Sequence, residues 1–115
     1  MYKFKGKEYP CCASLTMGLI GGKWKTVILY HLMVGGTLRY NELRKEMPTV
    51  TERTLSLQLK TLEEDGIVKR KVYTSKPPLK VEYSLTDFGK TLIPVVQSIA
   101  DWGDFAIKEK QGVVV

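Results

Sequence analysis

A chain of 115 residues holds one domain with a single modest core, and 43% hydrophobic with 26% charged residues is ordinary for a folded protein. The net charge of +6 suits an anionic partner, nucleic acid or a membrane surface, and says nothing about fold. The adjacent Cys11 and Cys12 and the lone His31 exclude a disulfide scaffold and a zinc site, and no apolar run suits a signal peptide or a bilayer span. The expected location is therefore cytoplasmic, with no membrane partner, no metal and no cofactor.

Residues 1–10 are basic and aromatic and read as a loose arm, with Lys3, Lys5 and Lys7 facing phosphate or solvent. Pro10 precedes a short helix over Cys12–Ile20, which Gly21-Gly22 breaks. A second helix is expected over Lys23–Val34, where Trp24, Val27, Ile28 and Leu32 recur at helical spacing and face the core. Gly35-Gly36 ends it. Thr37–Tyr40 suits one small strand. Asn41 is then the expected cap of a helix over residues 42–47, with Leu43 and Met47 facing inward. Pro48-Thr49-Val50 forms a turn.

The stretch Thr51–Asp65 follows as one helix. Leu55, Leu59 and Leu62 share one face, while Arg53, Leu57 and Lys60 project from the other. Thr51 suits the N-cap, Glu52 the first turn, and Gly66 the left-handed exit. Two short helices joined by a three-residue turn, the second with a partly basic polar face, have helix-turn-helix spacing.

After Gly66 the period changes to two. Val68, Arg70 and Val72 alternate with Lys69, Lys71 and Tyr73. A turn over residues 74–78 leads to Leu79–Leu85, where Val81, Tyr83 and Leu85 alternate with Lys80, Glu82 and Ser84. This β-hairpin is placed and charged as a wing, with Lys76 and Lys80 as candidate phosphate contacts. Thr86-Asp87 caps a last helix reaching about Lys110, kinked at Pro94. Its stripe of Phe88, Leu92, Val95, Ile99, Trp102 and Ala106, widened by Val96 and Phe105, exceeds what one small core absorbs. The excess points to a second subunit on Leu92, Val95, Ile99, Trp102 and Ala106. Residues 111–115 read as a disordered tail. The fold class is mostly α with a small β-hairpin, α+β.

Several motifs in register carry a resemblance. They include Cys11, Ile20-Gly21-Gly22-Lys23-Trp24, Leu38-Arg39-Tyr40-Asn41-Glu42-Leu43 and Met47-Pro48. Leu55-Ser56, Leu59-Lys60, Leu62-Glu63-Glu64-Asp65-Gly66, Pro77-Pro78, Val81-Glu82-Tyr83-Ser84-Leu85-Thr86, Pro94 and Trp102-Gly103 follow in order. From Cys11 to Gly103 the chain resembles the HxlR family of bacterial winged helix-turn-helix transcription regulators. The resemblance implies one such domain over residues 11–110, and a homodimer joined through its N- and C-terminal helices. It implies double-stranded DNA as partner, an inverted-repeat operator with half-sites about one helical turn apart, and usually a repressor role.

On the family pattern Thr51, Arg53, Ser56 and Lys60 fall in the DNA-contacting region. The helix geometry independently selects Arg53 and Lys60, with Leu57 free to meet a thymine methyl. Arg39 is a candidate phosphate clamp. Cys11 falls where relatives carry a cysteine that senses oxidants or electrophiles. Its place at a helix N-terminus, after three lysines, favours a thiolate. Cys12 stands where the family usually has proline, and is a candidate resolving thiol from the partner subunit. Two other readings remain: a winged-helix protein–protein module without sequence-specific DNA readout, and a thiol enzyme, which lacks an evident general base.

Overall fold

Ile28, Leu29 and Leu32, all on one helix and all buried, organise the molecule. The computed structural model describes residues 1–74, 76–78 and 80–115. Its elements in order are β1 (Tyr2–Phe4), β2 (Lys7–Tyr9), α1 (Cys12–Ile20), α2 (Lys25–Gly35), β3 (Leu38–Arg39) and α3 (Tyr40–Glu46). Then come α4 (Glu52–Glu64), β4 (Val68–Val72), β5 (Val81–Leu85), α5 (Asp87–Lys90) and α6 (Ile93–Glu109). Helix α2 touches α3, α4, α6 and β5. A helix so enclosed needs apolar residues beyond one stripe, which is why Leu29 is buried beside the predicted Ile28 and Leu32. Around it gather Ile20, Leu43, Met47, Val50, Leu55, Leu59, Leu62, Ile67, Val68, Leu85 and Val96.

A three-stranded antiparallel sheet has the order β3-β5-β4. Val68 pairs with Leu85, Arg70 with Tyr83, and Val72 with Val81. The pairing follows the period of two read from the sequence, but burial follows it only at the base of the hairpin: Val68 and Leu85 are buried, whereas Arg70 and Val72 are exposed like Lys69 and Lys71. The architecture is a winged helix-turn-helix of α+β class. Among the described residues no helix is long and apolar enough to cross a membrane.

Four expectations are corrected. Residues 1–10 are not a loose arm, because β1 and β2 pair as a hairpin with Tyr2 opposite Tyr9. Lys5 and Gly6 both take positive φ, 48° and 80°, which suits a two-residue hairpin turn. The last helix is not one kinked rod. It divides into α5 and α6, and Pro94 sits in the first turn of α6, where its missing N–H breaks no helical bond. The cap of α3 is Arg39 rather than Asn41: the Arg39 N–H donates to Glu42 Oε1 at 2.8 Å, so the carboxylate reaches back to close the first turn. Finally, Trp24 caps α2, which begins at Lys25. The turn residue Ser75 and the expected strand start at Leu79 lie outside the described residues. Residues 112–115 follow α6 without regular secondary structure.

Candidate nucleic-acid interface

Helix α4 starts and stops where its termini are chemically satisfied. Thr51 Oγ1 accepts the Thr54 N–H at 3.1 Å. At the other end Ile67 N–H reaches the Leu62 carbonyl and Gly66 N–H that of Glu63, both at 3.0 Å, with Gly66 at φ +75°. This double closure fixes the last turn. Leu55, Leu59 and Leu62 anchor one face in the core. The opposite face carries Arg53, Leu57 and Lys60 into solvent, and Leu57 is 57% exposed. An isolated leucine held out on a capped, anchored helix suits apolar contact with a base edge between two cations.

Ser56 is exposed and is bonded within the motif, its hydroxyl donating to Tyr40 Oη at 3.3 Å. Tyr40 Oη donates in turn to the Glu52 carbonyl at 3.0 Å. Tyr40 therefore ties the start of α3 to the first turn of α4, a role that sequence reasoning missed because the residues are distant in the chain. Arg44 adds an ion pair to Glu52 at 3.6 Å. Thr51 is exposed, with its hydroxyl engaged in the cap.

The wing stands beside α4. A cleft of about 380 Å³ between them is lined by Ser56, Lys60, Glu63, Glu64, Arg70 and Tyr83. Lys76, at the wing tip, is exposed, and its N–H donates to Thr74 Oγ1 at 3.2 Å. Lys80 Nζ lies 3.9 Å from Glu82 Oε1. Arg39 is exposed on the edge strand β3, opposite Glu82. Thr51, Arg53, Ser56, Leu57 and Lys60 thus occupy one helix, and Lys76, Lys80 and Arg39 lie on the sheet and its tip.

Cys11 is the N-cap of α1. Its Sγ accepts the Ser14 N–H at 3.4 Å, while the Cys11 N–H donates to Ser14 Oγ at 3.2 Å. The Ser14 hydroxyl lowers the thiol pKa most. The Ser14 N–H adds to this, and together they outweigh desolvation, with a smaller contribution from the Ala13 N–H. The helix start thus favours the thiolate as expected, but through Ser14 and not through the preceding lysines. Lys5 points elsewhere, its Nζ donating to the Glu64 carbonyl at 2.6 Å. Cys11 and Cys12 are both exposed free thiols. The Tyr2 phenol is raised above its ordinary value chiefly by a hydrogen bond with Cys12.

Along α6, Val95, Ile99 and Trp102 form an exposed apolar row, and with Ser98 they line a shallow depression. Trp102 is 69% exposed and the adjoining Phe105 56%. Ala106 is half-buried. Leu92 leaves the row: it lies at the cap of α6 and packs on the chain's own core, as does the buried Val96.

The profile of the HxlR-like helix-turn-helix family matches residues 19–111. Two Bacillus subtilis proteins described as uncharacterized HTH-type transcriptional regulators are similar. YdeP is 53% identical over 94 residues, covering 82% of this chain and 72% of that one. YybR is 52% identical over 104 residues, covering 87% and 82%. The solved redox regulator HypR in its oxidized form superposes with a TM-score of 0.76 at 51% identity, covering 82% of this chain and 95% of that one.

Proposed function

The chain belongs to the HxlR-like helix-turn-helix family, and on that premise we propose that it is a cytoplasmic homodimer reading an inverted-repeat operator, in a repressor role. At the coarser level it is a DNA-binding transcription regulator and not an enzyme, as its family and relatives are regulators. The observation that carries the finer reading is the outer face of α4. Arg53, Leu57 and Lys60 project from a helix whose other face is locked in the core and whose two ends are capped. Such a helix loses little order on entering a major groove, and the wing supplies adjacent cations. Arg53 is assigned to base readout, Leu57 to a thymine methyl, and Lys60 to a base or phosphate. Thr51 and Ser56 hold the helix start against the backbone. Arg39, Lys76 and Lys80 meet phosphate. Val95, Ile99 and Trp102 meet the second subunit, with Ala106 at the end of the row and α1 contributing its exposed Met17.

Selection of bound sites from a pool of random duplexes, under reducing conditions, tests this. Recovery of one inverted repeat supports it. Weak binding that salt abolishes without sequence preference contradicts it and favours the protein–protein module.

A second reading concerns the signal. The exposed Cys11, held at a helix N-terminus with a lowered pKa, suits reaction with an oxidant or small electrophile, and the Cys12 thiol of the partner subunit suits resolution, a disulfide between neighbouring cysteines being strained. HypR, named a redox regulator, supports this by similarity. Under this reading a thiol oxidant changes operator affinity in the wild type and has no effect on Cys11→Ser.

A further inference from the structure

The wing has two faces, and the sheet register sorts its side chains between them. In antiparallel pairs, residues directly opposite each other share a face. Leu38, Tyr83 and Arg70 form one row, turned toward the core and α4. Arg39, Glu82 and Lys71 form the next row, turned the other way. The Tyr73 N–H donates to the Lys80 carbonyl at 2.8 Å, so this pair continues the hairpin one step beyond Val72. Alternation then puts Tyr73 and Lys80 on the face of Lys71, together with Lys69 and Ser84. Among the described strand residues this outer face holds four cations, Arg39, Lys69, Lys71 and Lys80, and one carboxylate, Glu82.

Tyr73 lies at the distal end of that face. The Lys71 ammonium is 4.7 Å from its ring centroid and the Lys80 ammonium 5.0 Å. The Tyr73 phenol is raised above its ordinary value chiefly by a hydrogen bond to Glu82, with desolvation and the carboxylate's charge adding to it. The π system of the ring thus gathers two lysines. Two flexible ammoniums on one ring are pre-ordered, and a polyanion that binds both loses less side-chain freedom.

We propose that Tyr73 is a positioning residue. Its ring sets Lys71 and Lys80 as a paired clamp for DNA phosphates on the outer face of the wing, beyond the groove that α4 occupies. The clamp rests on the DNA-binding reading above and extends the footprint of each subunit. It adds Lys71 and Tyr73 to the interface.

The test is fluorescence anisotropy of the full chain on a 30-base-pair duplex of random sequence across a salt series. Lys71→Ala and Lys80→Ala each lower the slope of log affinity against log salt by about 0.9, one phosphate apiece. Tyr73→Leu weakens binding by about two- to fivefold, the worth of exposed cation–π contacts, while Tyr73→Phe retains at least half the affinity. In the Tyr73→Leu background, Lys71→Ala loses less than in the wild type. Wild-type binding with unchanged slopes in both lysine variants overturns the clamp and leaves this face to an acidic protein partner. Equal losses in Tyr73→Leu and Tyr73→Phe overturn the role of the ring. A wild type that binds no duplex at any salt overturns the DNA reading itself, a result distinct from the other two.

Discussion

Lys5 Nζ donates to the carbonyl of Glu64 at 2.6 Å, joining the tip of the N-terminal hairpin to the last turn of α4. The last carbonyls of a helix have no partner of their own, and a cation there also suits the helix dipole. The same hairpin leads directly into Cys11. The hairpin that runs into Cys11 and helix α4 are thus in contact within one chain. Lys5→Met removes the donor and keeps the aliphatic stem. Amide exchange in the last turn of α4 then speeds up by about two- to fivefold. Unchanged exchange there means the contact contributes nothing to the helix end.

Leu59 is 1% exposed and lies among α4's other anchors. Leu59→Ala leaves a cavity and lowers unfolding free energy by about 2–5 kcal/mol in denaturant titration. Leu57→Ala, on the exposed side of the same helix, changes stability by less than about 0.5 kcal/mol. If the two costs were alike, α4 would not be anchored by one face.

Cys11 has a pKa below that of an ordinary thiol, set first by Ser14. Between that lowered value and the ordinary one, Cys11 is more ionised than a free cysteine, and only the thiolate alkylates. In a Cys12→Ser background, the rate of iodoacetamide labelling rises with pH around a midpoint below that of a free thiol. Ser14→Ala moves the midpoint upward. A midpoint that stays put removes Ser14 as the cause.

Trp102 tests the subunit contact without touching the core. Its exposure leaves room for a charge in the isolated chain, so Trp102→Glu folds with an unchanged circular-dichroism spectrum. The proposed dimer, however, must bury that charge, which is strongly unfavourable without a partner. Light scattering after size exclusion gives twice the chain mass for the wild type and the chain mass for the variant. A variant that keeps the doubled mass places the interface elsewhere.

Some of this was legible because spacing encodes it. Leu55, Leu59 and Leu62 at four and three residues can share only one helical face, and Thr51 and Gly66 mark its ends by their own chemistry. The wing followed from the period of two on both sides of its turn. The N-terminal hairpin was not legible. Its turn is Lys5-Gly6, and a lysine at positive φ gives none of the signal of an Asn-Gly or Asp-Gly pair. The break before Pro94 was misread because a proline within an apolar period fits a kink as well as a start. Leu92 follows the stripe by number, yet it sits at the cap, outside the regular helix, so periodicity could not give its direction. Tyr40 and Tyr73 depend on partners 12 and 16 residues away, or across a strand register, which local pattern does not reveal.

The proposed function assigns base readout by α4 to Arg53. The direct measurement is the affinity of wild type and Arg53→Ala for the selected inverted repeat and for each of its single-base variants at one salt concentration. The expected result is that Arg53→Ala loses more than about 1 kcal/mol on the best site and becomes indifferent to the base at one symmetric pair of positions. An Arg53→Ala protein with unchanged preference at every position would contradict it and leave the exposed face of α4 outside base readout.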